Sequence, residues 1–118
     1  MPLAYKAGVR VQRRTLALMH IENSALAAQA ALGYPSVLVA TSINDSRHVE
    51  GSKHYTDDAI YWRTKGPAAN TMGSTARKRR FRQRLSALLG DRFTVLLEGL
   101  GHPYEHIHVQ VKKGERYP

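Results

Sequence analysis

The chain has 118 residues, no cysteine, and a formal net charge of +9 from 18 Lys and Arg against 9 Asp and Glu. That length holds one hydrophobic core, and the missing cysteines exclude disulfides, thiolate zinc sites and a cysteine nucleophile. The 42% hydrophobic and 23% charged composition is that of a folded domain, while the charge favours polyanionic partners: nucleic acid, an anionic membrane or an acidic wall polymer.

No apolar run follows the basic residues Lys6, Arg10, Arg13 and Arg14, so no signal peptide is expected, and no stretch approaches the length of a membrane span. The first predicted element is a helix over residues 12–32, with Leu18, Ile21, Ala25, Ala28 and Leu32 recurring at spacings of three and four before Gly33 ends it. His20 lies beside this stripe and reads as a packing residue. Residues 36–43 (SVLVATSI) form an apolar, β-rich run of strand length, followed by a polar loop over 44–53. A strand over 59–63 places Ala59, Tyr61 and Arg63 on one face and Ile60 and Trp62 on the other.

A second helix is predicted over 75–89, capped by Ser74 or Thr75 and closed by Gly90, with a core stripe of Phe81, Leu85, Leu88 and Leu89. Its first half carries Arg77, Lys78, Arg79, Arg80 and Arg82, where the helix dipole disfavours cations. That local cost favours an anionic partner for residues 77–84. Two more strands, 93–98 and 106–111, close the chain, the last with Ile107, Val109 and Val111 on its core face. The order α, β, β, α, β, β predicts a single α+β domain over residues 1–118, a small, mostly antiparallel sheet with two helices.

His106 and His108 share the strand face opposite the apolar one, and His48 falls in the polar loop with His54 just beyond it. Such a histidine set suits a zinc ion. The stretch SKHYTDDAIY, followed later by EHIH, resembles the M15-type zinc peptidases of the hedgehog/DD-peptidase fold, the D-Ala-D-Ala carboxypeptidases and phage endolysin L-alanyl-D-glutamate peptidases. Ser52, His54, Ala59, Glu105 and His108 match the family pattern; Asp57 stands at its glycine and Tyr61 at its metal-binding aspartate.

The resemblance implies a metallopeptidase acting on peptidoglycan stem peptides, made in the cytoplasm and reaching the wall after phage-type release. In it His54 and His108 bind zinc, Glu105 activates water, and Arg47, or alternatively Arg63, holds the substrate carboxylate or the oxyanion. Ser52, His106 and Arg63 line the substrate. Tyr61 as a phenolate, Asp58 or Asp57 from the loop, or His106 or His48 would complete the ligand set; failing these, zinc is held weakly or not at all. Two other functions fit the same residues: a non-catalytic wall- or polyanion-binding protein on that fold, and a His-x-His nuclease that nicks single-stranded DNA with a tyrosine. For the nuclease, Tyr117 is the tyrosine after the histidine strand and Tyr61 the one before it.

Overall fold

A computed structural model describes residues 3–12, 14–34, 37–43, 58–65, 72–115 and 117. In chain order they form β1 (Leu3–Tyr5), α1 (Leu16–Leu32), β2 (Leu38–Ser42), β3 (Ala59–Arg63), α2 (Thr75–Leu89), β4 (Phe93–Glu98) and β5 (His106–Val111). The strands make one sheet in the order β1-β2-β3-β5-β4. β1 runs parallel to β2 and every other pairing is antiparallel, so the fold is α+β with two helices and a mixed five-stranded sheet. The parallel pair follows from the connection: only a long crossover, here α1, returns a chain to run beside its own start.

β1 has no counterpart among the elements expected from sequence. It is three residues long, too short for alternation to register, and it is fixed by contacts distant in sequence. Tyr5 donates to the Glu22 carboxylate, Arg14 donates to Tyr5 Oη at 2.7 Å, and Arg14 pairs with Glu22. These bonds clasp β1 to the first turns of α1.

Both helices begin and end as their sequences dictate. Thr15 Oγ1 accepts from Leu18 N at 2.9 Å, so α1 starts at Leu16 and not at residue 12. At its other end Gly33 is left-handed (φ 69°); its N–H bonds Ala30 O and that of Tyr34 bonds Gln29 O, which satisfies the last carbonyls. Ser74 caps α2 through Oγ, which accepts from Arg77 N.

The core lies between the helices and one sheet face. Leu18, Ile21, Ala25 and Ala28 from α1 and Phe81, Leu85 and Leu89 from α2 meet Ile60, Trp62, Val95, Ile107, Val109 and Val111. Period-two alternation in β5 puts its odd-numbered residues in this core and leaves its even-numbered ones half-buried on the opposite face. Leu88 departs from the expected stripe: it stands at the stripe's edge in the last turn of α2 and is 43% exposed. The buried stripe takes in Lys78 instead.

Candidate functional site: a histidine–glutamate cluster on the sheet face away from the helices

The sheet face turned away from the helices carries Tyr61 and Arg63 from β3, His106, His108 and Gln110 from β5, and Glu98 from β4. Register brings them together: Tyr61 stands opposite His108, Arg63 opposite His106, and on the other side Glu98 opposite His106. His106 Nε2 lies 3.0 Å and His108 Nδ1 3.3 Å from the same oxygen, Glu98 Oε1. Among the described residues these three form a group whose donor atoms all lie within 4.8 Å of one another.

The outer ring nitrogens are also held. His106 Nδ1 lies 2.8 Å from Tyr104 O, and His108 Nε2 lies 2.7 Å from Gln110 Oε1. Gln110 Nε2 donates to Val111 O, which turns Oε1 towards the ring. The Tyr61 ring stacks on His106 with centroids 4.0 Å apart and lies 4.9 Å from His108. Burial, then the negative charge of Glu98, pushes the Tyr61 phenol up, which disfavours a phenolate.

Beside this cluster a groove of about 480 Å³ is lined by Lys6, Thr41, Tyr61, Arg63, Lys65 and His106, among others. A bulge shapes one wall: Ala40 pairs with Trp62 and Ser42 with Tyr61, leaving Thr41 as the extra residue, and its Oγ1 donates to Tyr61 O. Three cations border the groove, which suits a carboxylate-bearing ligand.

Of the residues singled out from sequence, Arg47, Ser52 and His54 lie outside the described residues, as do His48 and Asp57. Tyr61, Arg63, His106 and His108 do share one face. Asp58 precedes β3, where its carbonyl accepts from Val111 N, and it is not among the donors that converge on Glu98.

Glu105, expected as the water-activating base, lines the same groove, but its carboxylate is held by other partners. One residue out of step with His106 and His108, it turns to the helix side and meets Lys78 Nζ at 2.6 Å. Thr64 Oγ1 donates to the same carboxylate oxygen at 2.5 Å, and Gly101 N–H donates to the other at 2.8 Å. Burial alone would raise its pKa, but the hydrogen bonds from Lys78, Thr64 and Gly101, with the charge of Lys78, outweigh this and hold it at about 2. A carboxylate so pinned is a weak proton acceptor.

Sequence reasoning missed Glu98. Its place beside His106 depends on the length of the turn over 99–105, and counting that turn back from the histidine strand would have paired the two. Compared with models of known families, with curated proteins and with solved structures, the chain matches none.

Proposed function

We propose that the protein is a metal-dependent peptidase, zinc being the expected ion, acting at the sheet face away from the helices on peptidoglycan stem peptides in the manner of the hedgehog/DD-peptidase fold. The observation that carries this reading is the register of Tyr61 opposite His108. The position at which the resembling peptidases place a metal-binding carboxylate thus lies directly beside the histidine they use. The cationic groove supports a substrate with a free carboxylate, Lys6, Arg63 and Lys65 supplying the counter-charge. Neutral tyrosine in place of aspartate removes one anionic ligand, so the activity proposed is a weakened one.

The test is incubation of the protein with a muropeptide carrying a D-amino acid terminus, with and without added zinc, followed by mass spectrometry. Zinc-dependent loss of a residue or scission of the stem supports the reading. Binding without cleavage reduces the protein to a wall-binding module, and neither binding nor cleavage removes the proposal.

One observation favours a second reading. Tyr117 packs against His20 and Phe93, which leaves Tyr61 as the tyrosine stacked on the His-x-His pair. With a net charge of +9 this suits a single-stranded DNA nickase, in which the phenol attacks a phosphodiester and the released strand keeps its 3′-hydroxyl. A covalent Tyr61–DNA adduct formed with manganese would establish it; the upward push on that phenol works against it.

A further inference from the structure

We infer that Glu98, His106 and His108 form a divalent transition-metal site of their own, with the carboxylate supplied by β4 and not by the position that Tyr61 occupies. A hydrogen bond to a protein oxygen orients each of the two rings. The Tyr104 carbonyl can only accept, so His106 Nδ1 carries the proton. Gln110 Oε1 can only accept, so His108 Nε2 carries the other. In the neutral rings the remaining nitrogens, His106 Nε2 and His108 Nδ1, then present lone pairs to Glu98 Oε1 at 3.0 and 3.3 Å. Two ring lone pairs facing one carboxylate oxygen at that range call for a cation between them or for protons on the rings.

The spacing suits a metal. Ligands about 2.1 Å from a tetrahedral ion stand about 3.4 Å apart, and the two glutamate–histidine separations are already near that value. The outer shell is also in place: each ring gives its second N–H to an oxygen of the protein, which fixes tautomer and orientation as metal-binding histidines require. Glu98 keeps 42% of its side chain exposed, while the histidines keep 16% and 14%, so the carboxylate forms the solvent side of the site and the rings its buried side. Two imidazoles and one carboxylate select zinc, cobalt, nickel or ferrous iron over calcium or magnesium. The site stands independently of the peptidase reading.

The test uses zinc alone. Isothermal titration of the metal-free protein should show one ion per chain, and cobalt should give the absorption of a nitrogen- and oxygen-ligated centre. Glu98→Gln and His106→Ala should each weaken zinc at least ~10-fold and abolish the rise in melting temperature that zinc confers on the parent. Glu98→Asp, which keeps the charge but draws it back by one methylene, should fall between and serves if Glu98→Gln does not fold. No zinc binding by the parent, or equal affinity across these variants, overturns the inference. So does affinity that survives Glu98→Gln and vanishes in His54→Ala, which would return the ion to the family-type ligand set. Zinc held by the triad without cleavage of muropeptide keeps this inference and removes the peptidase reading.

Discussion

Glu105 and Lys78 face each other with almost no solvent around them, their side chains 1% and 9% exposed. Removing one partner of such a pair leaves the other charged and buried, at a cost of about 3 kcal/mol. Glu105→Gln is therefore expected to lower stability by roughly that amount, measured by urea unfolding at neutral pH. The pH dependence follows from the downward shift of Glu105 from 4.5 to about 2. A depressed carboxylate contributes stability that is complete above its unfolded pKa and is lost as pH falls through the folded one. Parent and Glu105→Gln should thus converge in stability between about pH 5 and pH 2. At Tyr61 the expectation runs the other way. Tyr61→Asp adds an anionic oxygen beside His106 and His108, and zinc affinity should rise at least ~10-fold, about 1.4 kcal/mol, in a calorimetric titration. An unchanged affinity would show that this position does not reach the ion. The pairing of like parity made His106 and His108 legible in sequence, and the same parity, applied one residue earlier, turns the Glu105 carboxylate towards Lys78.

The β4–β5 hairpin organises the site, because its turn sets both which residue of β4 meets His106 and where the Tyr104 carbonyl points. Gly99 begins that turn at φ 65°, and a Cβ there would lie 2.6 Å from the Tyr104 ring. Gly99→Ala should cost about 1–2 kcal/mol from the left-handed backbone, and it should also loosen zinc by displacing Tyr104; a thermal melt and a zinc titration read the two effects. Four elements carried their bounds in the sequence. β3, β4 and β5 showed alternation, and α2 lay between a serine cap and a glycine. What sequence could not show was set by partners far along the chain. β1 exists because of Leu38–Ala40 and the Glu22 clasp, and Lys78 is buried because Glu105 waits opposite it. Leu88, at the edge of its stripe, is decided by the exact lie of α2 on the sheet, which periodicity does not fix.

At the scale of the whole molecule, the excess of cations is spent unevenly. Lys78 is paired inside the fold, and Arg77 lies over the Tyr34 ring, its guanidinium carbon 4.3 Å from the ring centre. Arg79, Arg80 and Arg84 remain exposed on α2. Any polyanion held by this helix is expected to contact those three, so neutralising each to Gln should reduce the salt dependence of oligonucleotide binding by about one counterion. Binding to one sequence with little sensitivity to salt would contradict this. No helix among the described residues is long and apolar enough to cross a membrane. The parallel edge has a kinetic meaning as well. β1 holds only three rungs, Leu3–Leu38, Ala4–Val39 and Tyr5–Ala40, and its partner lies some thirty-five positions along the chain. Closing that loop gives little return until α1 is docked, so β1 should join last in refolding and open first in the native state. In hydrogen exchange the amide of Lys6, which donates to Ala40 O, should then trade its proton well before those of Ile107 and Val109, deep in the middle of the sheet.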